Sequence, residues 1–210
     1  MEIRSFCVGP VQANAYLLTQ AGRAVLVDPG AEPQRLLEAL TASGASLEAV
    51  WLTHADFDHV GGLAGVLAAQ DGEVPVYLHP ADAPLLRSAR EQAAAFGLAI
   101  DAPPTATRDL ADGQTLQLAD VRARCLFTPG HTPGHIAFYF EEEGVVLTGD
   151  ALFRGSIGRT DRPFGDAGLL LRSIRQALLT LPDDTRVLPG HGAATTVLAE
   201  RRANPFLIGS

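Results

Sequence analysis

The chain of 210 residues has only two cysteines, Cys7 and Cys125. Neither sits in a C-x-x-C pair, so a disulfide framework and a thiolate metal knot are both excluded. Each lies in an apolar stretch, which reads as a buried free thiol. Basic charge is also scarce. The formal net charge is −8, whereas nucleic-acid binders show a basic field, so no nucleic-acid partner is expected. No apolar run approaches the roughly 18 residues of a membrane span. The opening Met1-Glu2-Ile3-Arg4 lacks an apolar signal-peptide core. These absences point to a cytoplasmic protein with no membrane partner. There is no low-complexity stretch and no short tandem repeat. A hydrophobic fraction of 47% and a charged fraction of 19% are ordinary for a globular chain. The length suits a single domain over 1–210 that buries its own core.

The apolar pattern predicts strands at 14–19, 24–27, 49–52, 76–78, 115–118, 121–127, 136–140, 145–147 and 186–188. Pro33 opens a helix whose apolar face is Leu36, Leu37 and Leu40. Helices are also expected from Leu63 to Ala69, through the Ala-rich stretch between Pro80 and Pro104, from an Asp166 N-cap to Leu179, and from Thr195 to Arg202. Strands come in runs as well as alternating with helices. This is an α+β pattern, two mixed sheets packed face to face with helices outside, an αββα sandwich.

Polar residues gather where those strands end. After Leu52 the chain reads Thr53-His54-Ala55-Asp56-Phe57-Asp58-His59-Val60-Gly61-Gly62. Four groups able to bind a metal fall within six residues there. Later come Thr128-Pro129-Gly130-His131, Leu147-Thr148-Gly149-Asp150 and Leu188-Pro189-Gly190-His191. Each repeats one pattern: apolar strand, glycine turn, potential ligand. Loops at strand ends are where a rigid scaffold presents chemistry, and glycine lets the backbone approach closely there. Imidazoles and carboxylates without thiolates suit zinc, iron or manganese. Two such ions about 3.5–4 Å apart and bridged by a carboxylate activate water as a nucleophile and polarise a carbonyl.

These segments resemble the metallo-β-lactamase superfamily. Thr53 to Gly62 is similar to its T-H-x-H-x-D-H-x-G-G signature, and Asp150 and His191 stand in two later signature elements. Thr128-Pro-Gly-His131-Thr-Pro-Gly-His135 is similar to the third-histidine motif, and Gln12 to Tyr16 and Val27-Asp28-Pro29-Gly30 to the first strands. Leu152-Phe153-Arg154-Gly155-Ser156-Ile157-Gly158-Arg159-Thr160-Asp161 resembles single-domain glyoxalase II-like proteins. The resemblance implies an αββα sandwich and a pair of divalent metals. His54 and His131 would hold the first, Asp58, His59 and His191 the second, with Asp150 bridging. His135 reads as a support or turn residue and His79 as surface.

Asp56 departs from the family, which usually has histidine there. Its carboxylate reaches as far from Cβ as the nearer ring nitrogen of that histidine, so it is counted as a ligand. Flavodiiron proteins of the same superfamily carry glutamate at this place and bind iron. The added negative charge favours iron or manganese over zinc. The implied activity is hydrolysis of a thioester of S-acyl-glutathione type, such as S-lactoylglutathione, by metal-bound hydroxide attack. Asp58 would both ligate and orient the nucleophile, and Arg154 and Arg159 would pair with a substrate carboxylate. Full-length glyoxalase II grips glutathione with a C-terminal helical region for which a chain stopping at Ser210 leaves no room, which sets the thiol carrier apart from the acyl chemistry. An iron-dependent persulfide dioxygenase, similar in Gly158 to Asp161, is the alternative, and a catalytically weak binding module on the same fold is a third reading.

Overall fold

The computed structural model describes residues 1–208. The chain forms two compact units, residues 1–109 with 117–121 in one and the remainder in the other. In the first, β1 (Glu2–Val8), β2 (Ala13–Gln20), β3 (Arg23–Val27), β4 (Ser46–Trp51), β5 (Val76–Leu78) and β6 (Arg108–Asp109) form one mixed sheet in chain order. β1, β2 and β3 pair antiparallel, and β3 to β6 are parallel. Parallel neighbours need crossovers. Helix α1 (Pro33–Ser43) supplies the one from β3 to β4. It starts with Pro33 in its first turn and stops at Gly44, whose φ of 67° suits a left-handed C-terminal cap. Its buried face is Leu36, Ala39 and Leu40, packed with Leu17, Leu26, Val50 and Leu52 into the core of this unit. Two short helices, α2 (Phe57–Val60) and α3 (Leu63–Ala68), follow β4.

The second sheet runs β14 (Thr195–Thr196), β13 (Arg186–Pro189), β10 (Val145–Gly149), β9 (Ile136–Phe140), β8 (Val121–Phe127) and β7 (Thr115–Leu118). β8 and β10 each pair antiparallel with β9, and β13 lies parallel to β10. Strands β8, β10 and β13 therefore point the same way, and their C-terminal ends share one edge. A small hairpin, β11 (Leu152–Phe153) with β12 (Ser156–Ile157), follows Asp150. The helix α6 (Ala167–Ser173) is capped by Asp166, whose carboxylate accepts the Leu169 N–H at 2.8 Å. It runs on through a wider turn at Ile174–Leu178. The core of this unit includes Tyr139, Val146, Leu170, Ile174, Leu178 and Val187.

Several expectations change. Cys7 is exposed, and only Cys125 is buried. Along β1, Phe6 and Val8 turn inward while Cys7 between them turns out, as strand alternation requires. The stretch from Pro80 is not one helix. His79 begins a 3₁₀ turn at Pro80–Asp82, followed by α4 (Ala83–Arg87) and α5 (Ala89–Ala95), broken at Ser88. His79 is half-buried. Its Nδ1 accepts the Ala81 N–H at 3.3 Å, and burial pushes its pKa below the usual imidazole value, against the raising effect of Asp82 and Asp109. Thr195 lies in a strand, and Thr196 caps α7 (Val197–Ala203), its hydroxyl accepting the Ala199 N–H. Among the described residues no helix is long and apolar enough to cross a membrane.

Candidate metal centre

In the first unit, the parallel pairing of β3 and β4 puts Asp28 and the 53–60 segment at one edge. Asp28 is 2% exposed. Its Oδ1 accepts the Thr53 N–H at 2.8 Å, and its Oδ2 accepts the Thr53 hydroxyl at 2.6 Å. His59 Nδ1 lies 3.1 Å from the same Oδ2. An ionised carboxylate only accepts, so His59 carries its proton on Nδ1. The Thr53 hydroxyl uses its one proton in the hydrogen bond it donates to Asp28. It can therefore only accept from His54 Nδ1, 2.9 Å away. One carboxylate thus assigns the tautomer of both histidines, and each Nε2 keeps its lone pair for a metal.

Those Nε2 atoms face carboxylates. His54 Nε2 is 3.6 Å from Asp56 Oδ2, and His59 Nε2 is 3.8 Å from Asp58 Oδ2. Two ligands about 2.1 Å from a tetrahedral ion are about 3.4 Å apart, so these separations suit pairs that share a metal. Asp28, His54 and His59 also fall within ligand distance of one another. Asp28, however, is committed on the Nδ1 side, where it orients imidazoles instead of ligating. The loop is held from outside as well. The buried carboxylate of Asp82 accepts the Ala55 N–H at 3.2 Å, and Gln92 accepts the Phe57 N–H at 3.3 Å. Gly30 lies against the loop so closely that a Cβ there would come within 1.6 Å of the Asp58 carbonyl oxygen.

The second unit builds its share in the same way. The common direction of β8, β10 and β13 gathers His131, Asp150 and His191 at one edge. Asp150 Oδ2 is 3.6 Å from His131 Nε2 and 3.5 Å from His191 Nε2. A carboxylate flanked by two imidazoles is what a bridging ligand requires. His131 Nδ1 donates to the Arg159 carbonyl at 2.8 Å, which again leaves Nε2 as the lone-pair nitrogen. Arg162 approaches that nitrogen at 3.1 Å. His135 is fully buried. Its Nε2 accepts the Asp150 N–H at 3.0 Å and its Nδ1 donates to Thr128 Oγ1 at 2.8 Å. With both nitrogens committed, His135 fixes the backbone of Asp150. At Gly158 a Cβ would meet the Asp150 carbonyl oxygen at 1.8 Å.

The structure thus groups His54, Asp56, Asp58 and His59 in one unit, and His131, Asp150 and His191 in the other. Arg159 forks onto Asp161 at 2.7 and 2.8 Å, and that guanidinium holds the Asp161 carboxyl down at about 2. Arg154 is exposed in the turn between β11 and β12. Sequence reasoning assigned no role to Asp28, Thr53 or Arg162. The one signal for Asp28 is its place after an apolar strand and before Pro29-Gly30.

Comparison with known proteins agrees with this chemistry. Residues 8–191 match the Metallo-beta-lactamase superfamily. A probable metallo-hydrolase of Bacillus subtilis, YqgX, is 41% identical, over 100% of this chain and 99% of the relative. The hydroxyacylglutathione hydrolase GloC of Haemophilus influenzae is 40% identical, over 99% of this chain and 98% of the relative. The crystal structure of TTHA1623 in a di-iron-bound form is 48% identical, covers 97% of this chain and 100% of its own, and superposes with a TM-score of 0.89. The protein is a metal-dependent hydrolase by class. Within that class the chain belongs to the metallo-β-lactamase superfamily and has its α+β fold. The donor groups, the family and the di-iron relative together support two divalent metals.

Proposed function

We propose that the protein is a thioesterase acting on S-acylated thiols, with an S-acyl-glutathione such as S-lactoylglutathione as the substrate type. Its metal pair would be held by His54, Asp56, Asp58, His59, His131, Asp150 and His191. One observation carries the reading. In each unit, imidazole Nε2 atoms, those of His54, His59 and His131 with assigned tautomers, stand 3.5–3.8 Å from carboxylate oxygens, a donor set for divalent transition metals. GloC, similar over almost the whole of both chains, favours the acyl-thiol substrate. The TTHA1623 structure and the extra carboxylate of Asp56 favour iron or manganese over zinc.

When bound, the metals supply a nucleophile at neutral pH and polarise the carbonyl under attack. The chain's own groups do the rest. Asp58, with its side chain 14% exposed, orients the attacking water through a carboxylate oxygen. Asp28 and Thr53 keep the two imidazoles from rotating or changing tautomer. His135 holds the Asp150 backbone in place. A thiolate leaves without a dedicated general acid, so none is assigned. Arg154 and Arg159 are the candidate contacts for a substrate carboxylate, Arg159 by exchanging Asp161 for the substrate.

The test is metal analysis and S-lactoylglutathione hydrolysis on one purified sample. Two iron or manganese ions per chain with turnover is the expected result. A single iron, oxygen uptake with glutathione persulfide and no hydrolysis would overturn the thioesterase reading in favour of a dioxygenase. Full activity with stoichiometric zinc, and none with iron or manganese, would overturn the metal assignment alone.

A further inference from the structure

We infer that a cavity within the first unit, beside Asp58, is an acyl pocket that selects thioesters with an aliphatic chain of about four carbons. This inference rests on the thioesterase reading and names the part of the substrate that the site measures. The cavity has a volume of about 110 Å³. Its side-chain walls include Val8, Val11, Phe57, Leu98 and Ile100, and Asp58 is the charged residue among its lining.

The walls are held in place. Val8 and Phe57 are buried, and Val11, Leu98 and Ile100 pack against the same core. The loop carrying Val11 is closed by the Gln12 N–H donating to the Gly9 carbonyl at 3.2 Å. Glu32 tethers it by accepting the Gly9 N–H at 2.9 Å. That bond, with the Arg35 guanidinium beside it, keeps the Glu32 carboxyl below its usual pKa. Gly30 completes the wall nearest Asp58 by packing on the Asp58 carbonyl. Behind the Phe57 wall, Phe96 is 53% exposed, its ring centroid 5.0 Å from that of Phe57. The apolar packing therefore continues outward to solvent.

The chemistry of the lining selects the occupant. A sugar or a carboxylate would lose its water here and find no array of partners. An alkyl chain gains from the same burial. An apolar cavity of about 150 Å³ holds the six carbons of benzene, so about 110 Å³ accommodates about four carbons. With its carbonyl at the Asp58 end, a butanoyl group fills the pocket, acetyl leaves most of it empty and octanoyl outruns it.

The experiment uses metal-loaded protein and S-acetyl, S-butanoyl and S-octanoyl thioesters of N-acetylcysteamine, a carrier too small to dominate binding. Each methylene buried contributes about 0.8 kcal/mol, about fourfold. The kcat/KM for butanoyl should exceed that for acetyl by about 15-fold and also exceed that for octanoyl. Val11→Trp should shrink the butanoyl-to-acetyl ratio to about threefold or less, and Leu98→Ala should move the optimum to longer chains. A wild-type ratio near one, or one unmoved in both variants, overturns the pocket. Calorimetry with the non-hydrolysable S-butyl and S-methyl thioethers of the same carrier separates the two levels of the argument. Tighter binding of the butyl probe, lost in Val11→Trp, with no thioester turned over, keeps the pocket and removes the thioesterase. Turnover without chain-length preference does the reverse. Neither turnover nor preference removes both.

Discussion

Asp28→Asn should damage both metal positions at once, although Asp28 ligates neither. In the native protein Asp28 accepts three hydrogen bonds, two from Thr53 and one from His59. The amide of Asn can accept on one side only. If its oxygen faces the Thr53 N–H, its NH₂ faces Thr53 Oγ1 and His59 Nδ1. Thr53 must then turn its hydroxyl proton toward His54 Nδ1, and both imidazoles are driven to the Nε2–H tautomer. Each loses the lone pair it would give to a metal. If the amide is reversed, its NH₂ confronts the buried Thr53 N–H, which costs about 1–3 kcal/mol for the unsatisfied donor. Loss of an orienting partner typically lowers metal affinity about 10–100-fold, equivalent to about 1.4–2.7 kcal/mol. Because one side chain controls both histidines, the loss should appear in both binding steps. Chelator competition would measure the affinities, and nitrogen NMR of the metal-free protein would report the tautomers. Metal-free stability by urea unfolding should fall by about 2 kcal/mol, the scale of a charge-assisted hydrogen bond. The reasoning is refuted if the variant keeps Nδ1–H tautomers, or if it binds both metals with wild-type affinity.

Asp56→His should shift metal preference toward zinc, because it removes one negative charge and a hard oxygen donor; competition between zinc and iron, read by elemental analysis, checks this, and an unchanged preference counts against Asp56 as a ligand. The two thiols should differ sharply. Cys7 is exposed, whereas burial pushes the Cys125 thiol up to about 12, so a disulfide reagent at pH 8 should titrate one thiol in the native protein and two after unfolding. His79 should make stability depend on pH. Its folded pKa lies below its unfolded value, first through desolvation, so the unfolded chain binds more protons and stability falls as pH drops below about 6.5 toward the folded pKa. His79→Gln should flatten urea-unfolding stability between pH 8 and pH 5 relative to wild type; equal slopes would rule this contribution out.

The candidate ligands were legible because each needs only local punctuation: an apolar strand, a glycine turn, then a histidine or aspartate. The strands at 76–78, 115–118, 121–127 and 136–140 were legible for a similar reason, since their apolar runs are short and bounded. β1 was not, because only Phe6 and Val8 among its residues are buried and its remaining surface reads as polar chain. The Ala-rich stretch misled for the opposite reason. Alanine favours helix throughout, so composition concealed the breaks at Asp82 and Ser88, which depend on turn geometry and capping.

Asp28 shows where legibility stops on physical grounds. It acts 25 residues away on Thr53 and 31 residues away on His59, and those contacts exist only because β3 lies parallel to β4. Nothing in Val27-Asp28-Pro29-Gly30 distinguishes a carboxylate that sets two tautomers from one that merely begins a turn. The same holds for His135, which stands four residues after His131 and has the same chemistry. Their roles diverge in what meets Nε2: for His135 it is the backbone N–H of Asp150, whereas for His131 it is Asp150 Oδ2 together with the side chain of Arg162. Donor type identifies a residue that can bind a metal. What already meets the nitrogen aimed at the site decides whether it does so.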